Sequence, residues 1–229
     1  FAVPSAIANF TDFYTSLDHA NNGGRLSGRE PTLYPNFQHL PVAYHGRASS
    51  VSVSGSPCRR PNGQRIAPGA EAPSFGPVRL LDYEMEIGAY VGVGNPMGYS
   101  IPLAEADQHV FGLCLLNDWS ARDIQAWEYQ PLGPFQAKAF ATSISPWIVT
   151  KAALEPFRES TPEREKELLP YLAEDKPGLF NIDLSVTMQT AGSDEVHTIS
   201  NTNYTQMYYS AAQQLSHHSS SGCAMTAGD

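Results

Sequence analysis

The sequence is poor in charged residues and in cysteine, and it contains no long apolar run. Charged residues make up 16% of its 229 residues and hydrophobic residues 41%, which is the composition of a folded globule. No stretch is apolar enough to span a bilayer, and the mildly apolar segment 1–7 is too short for a secretory signal and lacks a basic flank. The composition therefore predicts a globular protein without an apolar membrane-spanning segment.

Only three cysteines are present, Cys58, Cys114 and Cys223, and they are widely spaced. An odd number of distant cysteines is more typical of free thiols in a reducing compartment than of a disulfide framework. We therefore expect a cytoplasmic location.

Basic residues are also scarce, since 14 lysines and arginines face 23 aspartates and glutamates, which gives a net charge of −9. A negative surface repels nucleic acids and anionic membranes, so neither is an expected partner. The same charge disfavours an acidic substrate, unless bound cations reverse the field near the site.

Many short β-prone segments predict a β-rich α+β fold in one domain that spans 1–229. Residues 31–77 are rich in Pro, Gly and Ser and predict turns and short strands. The charged segment 155–176, which contains three prolines, predicts a solvent-exposed loop with some helix. The remaining predicted elements are strands at 79–93, 110–116, 144–149 and 180–188, a short helix at 120–129 capped by Ser120, and an amphipathic helix at 204–217.

Asp82, Glu84 and Glu86 form the sharpest local pattern, because they alternate within the predicted strand 79–93. Side chains two residues apart lie on one face of a strand, so these carboxylates would repel one another unless a cation or protons lay between them. Hard divalent cations prefer oxygen ligands of this kind. A solvated outer face of an antiparallel strand explains the same spacing about equally well.

Two further acids extend this pattern. Asp118 follows the apolar run 110–116 at the mouth of the predicted helix, which is a common position for a site residue, although a helix-entry cap explains it too. Asp12 is a lone acid among the aromatic residues of segment 10–14, and a surface turn would be sufficient to explain it.

Polar side chains with catalytic chemistry lie near these acids in the sequence. Arg122, Gln125 and Tyr129 share one face of the predicted helix 120–129, where they could bind carboxylate and carbonyl oxygens or simply meet water. Lys138 has apolar neighbours and could stabilise a developing oxyanion, although a lone lysine is usually a surface residue. His19 is the best general-base candidate, because imidazole titrates near neutral pH.

Five longer stretches carry a family resemblance: 10–14 (FTDFY), 40–50 (LPVAYHGRASS), 79–86 (RLLDYEME), 117–125 (NDWSARDIQ) and 131–135 (PLGPF). Taken together, they resemble the fumarylacetoacetate hydrolase family, in its fumarylacetoacetase branch. The runs that begin at Leu40 and Asn117 are highly specific. The Glu-x-Glu pattern alone is shared by a wider superfamily of acylpyruvases, decarboxylases and isomerases.

The resemblance implies a fold, an assembly and a reaction. The fold is the mixed β-roll of the fumarylacetoacetase C-terminal domain, and the assembly is a cytosolic homodimer. The reaction is hydrolysis of a carbon–carbon bond in 4-fumarylacetoacetate, a small dicarboxylic β-diketone, to fumarate and acetoacetate, the last step of tyrosine and phenylalanine catabolism.

The resemblance also assigns roles to single residues. In this family a Ca²⁺ or Mg²⁺ ion lies between four carboxylates, which correspond here to Asp12, Glu84, Glu86 and Asp118. Lys138 and Thr142 correspond to residues beside a second position, which binds Mg²⁺. His19 corresponds to the general base. The groups that stabilise the oxyanion correspond to Arg122, Gln125 and Lys138. The substrate contacts correspond to Tyr14, Tyr44, Gln125 and Tyr129.

The sequence departs from the family pattern in two places. Between His19 and Pro35 the family carries an arginine that binds the substrate carboxylate; here the matching position falls nearest Ser27, and Arg25 is the candidate replacement. The family's small N-terminal β-barrel is also expected to be absent from this sequence. So are its last strands, which carry a substrate-binding threonine and a glutamate that orients the catalytic histidine.

Three other hypotheses remain open. The first is an acylpyruvase or an oxaloacetate-type decarboxylase of the same superfamily, which a substrate panel would identify. The second is a truncated, inactive protein that binds cations or dimerises, which a comparison with a longer chain would identify. The third is an acidic binding module without a metal, which would show no stabilisation by calcium.

Overall fold

The computed structural model describes residues 2–229 as a β-rich mixed fold of short elements. The helices are α1 (Leu17–Leu26), α2 (Leu103–His109), α3 (Arg122–Glu128), α4 (Gln136–Ala139), α5 (Lys151–Leu154) and α6 (Ala211–Ser219). The strands are β1 (Thr11–Tyr14), β2 (Val42–His45), β3 (Val51–Val53), β4 (Asn62–Arg65), β5 (Ser74–Pro77), β6 (Leu81–Asp82), β7 (Met85–Val91), β8 (Val110–Asp118), β9 (Ser120–Ala121), β10 (Thr142–Ile144), β11 (Val149–Thr150), β12 (Arg158–Glu159), β13 (Leu179–Phe180), β14 (Asp183–Gln189) and β15 (Val196–Asn203). Single turns of 3-10 helix lie at Ala48–Ser50, Glu155–Phe157, Pro170–Leu172 and Tyr204–Gln206.

Strand β8 is the centre of the largest sheet. β7 pairs with it in antiparallel orientation along one edge, from Met85 opposite Asn117 onwards. The other edge of β8 is shared by β10, which pairs with residues 116–118, and by β11, which pairs with residues 112–113. Because β3 joins β10 in parallel, the sheet is mixed. Other strands form two-stranded ribbons, among them β1–β2 and β6–β9.

The main apolar core lies between this sheet and the helices α2, α5 and α6. Leu113 of β8 is buried in one cluster with Ala106 of α2, Leu154 of α5 and Leu215 of α6. Full burial of a large aliphatic side chain contributes about 1.5–3 kcal/mol, so this cluster fixes the middle of β8. A smaller cluster around Ala121 fixes the start of α3, just beyond the end of β8.

The strand predicted at 110–116 is confirmed, and it extends to Asp118. The single strand predicted at 79–93 is wrong, because the chain forms β6 and β7 with an interruption at Tyr83 and Glu84. β6 pairs with β9 and β7 pairs with β8. The chain thus changes partner at the interruption, and sequence periodicity carries no signal for such a change.

The helix predicted at 120–129 is confirmed in its central part, α3. Ser120 is not its cap, since it is buried in β9 and its hydroxyl donates to the Asp118 carbonyl (3.1 Å). The helix predicted at 204–217 begins later than expected. Ser210 and Gln213 form a capping box at that later position, and this box defines the start of α6.

Other boundaries also differ from the predictions. The strand predicted at 144–149 is divided into β10 and β11 around Pro146, which has no N–H to donate to a ladder. The strand predicted at 180–188 is divided into β13 and β14. Helix α1 has no counterpart among the predicted elements, because its pair of glycines, Gly23 and Gly24, hides the helical pattern.

The structure agrees with two predictions based on composition. None of the helices within residues 2–229 combines the length and the apolar character that a bilayer crossing requires. Cys58, Cys114 and Cys223 are free thiols. Burial raises the pKa of Cys114 to about 11, so this residue behaves as a small apolar side chain.

Gly24 determines how α1 lies against the following loop. An alanine Cβ at this position would lie 2.2 Å from the Thr32 carbonyl oxygen, a backbone atom that cannot rotate away. Alanine has the better helix propensity by about 1 kcal/mol. We nevertheless expect Gly24→Ala to lower the free energy of unfolding in urea by about 1–3 kcal/mol, because of overpacking. Asn22→Ala, at an exposed position of the same helix, is the matched control and should be neutral or stabilising; equal stability of both variants would contradict this packing.

Candidate metal centre and active site

Four carboxylates meet at one point of the structure. Asp12 comes from β1, Glu84 and Glu86 flank the first residue of β7, and Asp118 ends β8. Each offers one oxygen, and these four oxygens all lie within 4.8 Å of one another. Asp12 and Asp118 are buried, with 8% and 0% of their surfaces exposed. They are the same four residues that the family resemblance indicates.

Strand register brings these side chains together. Glu84 and Glu86 are two residues apart in the chain, and both contribute an oxygen to the group that includes Asp118 at the end of β8. The Asp118 N–H donates to the Glu84 carbonyl (3.0 Å), and the Glu84 N–H donates to the Asn117 side-chain oxygen (3.2 Å). Asp12 enters from the separate β1–β2 ribbon, in which it lies opposite Tyr44.

Asp82 is not part of this group, although the alternating pattern predicts that it shares a face with Glu84 and Glu86. The strand is interrupted at Tyr83, so the alternation does not continue from Asp82 to Glu84. Asp82 Oδ2 instead accepts a hydrogen bond from Arg122 Nε (2.9 Å).

Two cations partly neutralise the four carboxylates. The Lys138 ammonium is 5% exposed and donates to Glu84 Oε2 (2.5 Å) and to Asp118 Oδ2 (2.9 Å). Arg122 Nη2 donates to Glu84 Oε1 (2.6 Å). A buried ammonium is tolerated only with such partners, so Lys138 is not the surface lysine of the alternative hypothesis. The four carboxylates outnumber these two cations, and Arg122 also pairs with Asp82, so an excess of negative charge remains.

The excess negative charge changes the pKa values of the acids. Burial and the neighbouring Asp118 raise the pKa of Asp12 to about 8. Burial and Asp12 likewise raise the pKa of Glu86 well above its usual value. Burial acts in the same direction on Glu84, but Lys138 and other cations outweigh it and lower the Glu84 pKa. Without a bound cation, these shifts favour the protonated forms of Asp12 and Glu86.

Two hydroxyl groups border the carboxylates. The Tyr44 hydroxyl lies 2.7 Å from Asp12 Oδ2 and 3.0 Å from Asp118 Oδ2, so its single proton is shared between two acceptors. Burial and these two acids raise the pKa of Tyr44, which keeps the phenol neutral. Thr142 Oγ1 lies 3.5 Å from Asp118 Oδ1, at the outer limit of hydrogen bonding.

His19 lies on α1 at the edge of the carboxylate group. Its Nε2 is 3.6 Å from Glu84 Oε1, and its ring contacts the Tyr14 ring edge to face at a centroid distance of 5.5 Å. Burial lowers the pKa of His19, although Glu84 opposes this effect. The imidazole is therefore neutral at pH 7, and 47% of the side chain is exposed to water.

Gln125 and Tyr129 differ in their relation to the charged groups. Gln125 Oε1 accepts a hydrogen bond from Arg122 Nη1 (3.0 Å). Tyr129 lies just after α3 and is 38% exposed, and its hydroxyl accepts a hydrogen bond from the Gln130 amide (3.1 Å). The structure therefore connects Gln125 directly to the charged group, while Tyr129 lies at its margin.

Arg25, the candidate replacement for the family's substrate-binding arginine, makes its side-chain hydrogen bond within α1 and not to the four carboxylates. It is exposed on α1 and donates to Asn22 (3.2 Å). Arg29 follows α1, and its guanidinium lies 3.8 Å from the centre of the Tyr34 ring. Its charge also reaches Tyr14, whose pKa is raised by burial and lowered by Arg29. Arg29 is the second arginine of the same segment, and it is not among the site residues that the sequence predicts.

The donor set fits a hard divalent cation. All four converging ligands are carboxylate oxygens, which suit Ca²⁺, Mg²⁺ or Mn²⁺ better than softer metals. Buried carboxylates in excess of their cationic partners are unfavourable unless they are protonated or bind a cation. The group can therefore hold a metal ion. Within residues 2–229, it is the one group of three or more acidic, histidine or cysteine ligands that lie this close together.

A group of four converging carboxylates on a β-rich mixed fold is consistent with a class of metal-dependent enzymes. Residues 8–229 match the family described as "Fumarylacetoacetate (FAA) hydrolase C-terminal". The chain belongs to this family. The match covers all the site residues described above, from Asp12 to Thr142.

Curated relatives of the chain carry the name fumarylacetoacetase. The Bos taurus protein is 50% identical over 228 residues, and the Arabidopsis thaliana protein is 48% identical over 228 residues. Each comparison covers 99% of this chain but 54% of the relative. The chain thus spans about half the length of the curated relatives that it matches.

Solved structures confirm the fold class. A fumarylacetoacetate hydrolase from Exiguobacterium antarcticum has a TM-score of 0.59 at 18% identity, over 100% of this chain and 62% of that one. A fumarylpyruvate hydrolase from Pseudomonas aeruginosa, solved in complex with Mn²⁺ and pyruvate, has a TM-score of 0.57 at 19% identity, over 97% of this chain and 75% of that one. At such identities the likeness concerns the fold alone.

Divalent cations should stabilise the folded protein. A ligand that binds only the folded state adds about 2.7 kcal/mol at a concentration of 100 Kd, so saturating calcium or magnesium should raise Tm by several degrees. Asp118→Asn should abolish the shift. Asp107→Asn, whose carboxylate pairs with Lys151 and Arg158 away from the site, is the matched control and should keep it. If thermal melting shows no shift of the wild-type Tm with either ion, the assignment of these four carboxylates as a metal site is wrong.

The stability of the metal-free protein should depend on pH, and the raised pKa of Asp12 determines the direction of that dependence. An acid whose pKa is higher in the folded state favours folding below its unfolded pKa, and this contribution is lost as pH rises through the folded value. For Asp12 the window runs from 3.8 to about 8. We expect the metal-free Tm to fall as pH rises through this window, and Asp12→Asn to flatten that fall. A wild-type slope that Asp12→Asn leaves unchanged would contradict this assignment.

Proposed function

We propose that this chain provides the metal-binding and catalytic side chains for hydrolysis of 4-fumarylacetoacetate to fumarate and acetoacetate. The convergence of Asp12, Glu84, Glu86 and Asp118 around Lys138 supports this most strongly, in a chain 50% identical to a named fumarylacetoacetase. The reaction adds water to a ketone carbon and breaks the adjacent carbon–carbon bond. It needs a base for the water, donors for the oxyanion and an acid for the departing carbon.

His19 is the proposed base and acid. Its neutral imidazole takes a proton from water while the hydroxide oxygen bonds to the ketone carbon. When the carbon–carbon bond breaks, its electron pair goes to the departing carbon, and the imidazolium returns the proton there. Glu84, 3.6 Å from Nε2, stabilises the imidazolium by its charge, and the Tyr14 ring packs against the imidazole.

Arg122, Gln125 and Lys138 are the proposed oxyanion donors. Arg122 uses three of its five N–H groups on protein partners, which leaves two. Lys138 uses two of its three donors on Glu84 and Asp118, which leaves one. Gln125 accepts from Arg122 through its oxygen, so its amide N–H groups remain for the substrate.

Tyr14, Tyr44, Gln125 and Tyr129 are the proposed substrate contacts, and Arg29 is the proposed carboxylate-binding residue. A dicarboxylic diketone carries two negative ends, and a half-buried guanidinium near Tyr14 is suited to bind one of them. Arg29 takes the place that the sequence assigns to Arg25.

Asp12, Glu84, Glu86 and Asp118 would hold the Ca²⁺ or Mg²⁺ ion, and Lys138 and Thr142 would border a second, Mg²⁺ position. When bound, the cation supplies Lewis-acid polarisation of substrate oxygens and a positive field for an anionic substrate. Lys138 bridges Glu84 and Asp118 and thereby fixes the separation of two of these ligands.

We also propose that the chain acts as a catalytic domain in a cytoplasmic homodimer. Three free cysteines support a reducing compartment. Phe111 and Leu115 of β8 are each more than half exposed, which supports association with a second copy. The net charge of −9 supports neither nucleic acid nor an anionic membrane as a partner.

His19→Ala should lower kcat for 4-fumarylacetoacetate by about 10²–10⁴-fold, because it removes the general base. The calcium-induced rise of Tm should remain, since His19 is outside the group of four carboxylates. His39→Ala, at an exposed position outside the site, is the matched control and should keep wild-type kcat. The loss of 4-fumarylacetoacetate is followed spectrophotometrically, and an acylpyruvate and oxaloacetate are assayed as alternative substrates. Preferential cleavage of either of these, or full activity of His19→Ala, would contradict the proposal.

A further inference from the structure

Asp82 is a carboxylate beside the site to which neither the cation site nor the proposed mechanism gives a role. Its side chain is 44% exposed, so packing does not by itself fix the position of the carboxylate. Its Oδ2 accepts from Arg122 Nε (2.9 Å), and its Oδ1 accepts from the Tyr83 N–H (2.9 Å). Both oxygens are therefore engaged, one with backbone and one with the guanidinium.

The backbone holds Asp82 and Arg122 in a fixed relation. Asp82 lies opposite Ser120 in the β6–β9 ribbon, and the Arg122 N–H donates to the Leu80 carbonyl (2.9 Å). Arg122 is the first residue of α3, directly after β9. The carboxylate and the guanidinium thus extend from paired backbone segments, which reduces the conformational entropy lost when they bond.

Arg122 contacts a different partner with each of its three nitrogens. Nε donates to Asp82, Nη1 to Gln125 and Nη2 to Glu84. An arginine with a single carboxylate nearby prefers two parallel hydrogen bonds to it. With Asp82 on Nε, Glu84 receives only one hydrogen bond from Arg122.

This division of donors matters because Glu84 is one of the four converging carboxylates. If Nε were free, the guanidinium would rotate to bind Glu84 through both Nε and Nη2. Arg122 would then leave Gln125, and its two remaining donors would turn away from their present positions. Asp82 prevents this rotation by competing with Glu84 for Nε.

We propose that Asp82 is a positioning residue, which orients Arg122 so that its two remaining N–H donors face the substrate oxyanion. This inference rests on the proposed hydrolytic function for its consequence in catalysis, but its structural part can be tested without turnover. The carboxylate need not contact the substrate; it acts through the guanidinium.

The structural test is the ¹⁵N–¹H spectrum of arginine Nε–H groups in the full chain. We expect a protected Arg122 Nε–H signal in wild type, which Asp82→Ala and the isosteric Asp82→Asn broaden or remove. Glu155→Gln is the matched control, because Glu155 accepts from Arg158 Nε (3.0 Å) away from the site. It should affect the Arg158 signal and leave the Arg122 signal unchanged. An Arg122 signal that persists unchanged in both Asp82 variants would overturn the proposal.

The catalytic test is a double-mutant cycle with Arg122→Lys, which has no Nε–H. Asp82→Ala should lower kcat by about tenfold with little change in KM, because the lost interaction is made in the transition state. In the Arg122→Lys background the same change should have no further effect on kcat. Equal losses in both backgrounds would show that Asp82 does not act through Arg122. If wild type lacks turnover, the proposed function fails, while the Nε–H spectrum still decides the structural claim.

Discussion

The ammonium of Lys138 between Glu84 and Asp118 is the interaction on which the site depends. Unit charges 4 Å apart interact by about 4 kcal/mol at an effective dielectric constant of 20, whether they attract or repel. Four converging carboxylates would therefore push β7 and β8 apart at their ends. Lys138 lies 2.5 Å and 2.9 Å from one oxygen of each strand's acid, so it joins the two strands where repulsion is greatest. Burial excludes the water that would otherwise screen these charges.

The fold supplies these side chains from elements far apart in sequence. β8 is fixed at its middle by the main core, so its end can carry Asp118 without contributing to that core. Asp12 and Tyr44 arrive together on the β1–β2 ribbon, where they lie opposite each other. Arg122 and Lys138 follow on α3 and α4, which a smaller apolar cluster holds beside the end of β8. Stability and chemistry thus reside in adjacent but separate parts of the chain.

Sequence reasoning found residue types and local spacing more reliably than partner changes. The convergence of Glu84 with Glu86 follows from extended backbone, and β8 follows from an apolar run. Asp82 was misassigned because a strand that changes partner at Tyr83 looks continuous in sequence. Ser120 was misassigned because a buried strand serine and a helix cap have the same local sequence. The effect of the Arg29 charge on Tyr14 has no sequence signal, because it depends on a loop whose path no periodicity encodes. The convergence of Asp12 with Asp118 rested on family resemblance, since residues in separate sheets share no pattern.

The negative charge of the four carboxylates can be offset in two ways, by a bound cation or by protons. Lys138 and Arg122 offset only part of the charge of the four carboxylates, because Arg122 also pairs with Asp82, so an excess of negative charge remains that a divalent cation can offset. In the absence of a cation, the raised pKa values of Asp12 and Glu86 favour protonation, which reduces the same excess. Protons and a divalent cation therefore compete to offset the same excess of negative charge. Of the two, only the divalent cation adds a positive centre that attracts anionic oxygens. Neutralisation of these acids also reduces the negative field at this position of a protein whose net charge is −9.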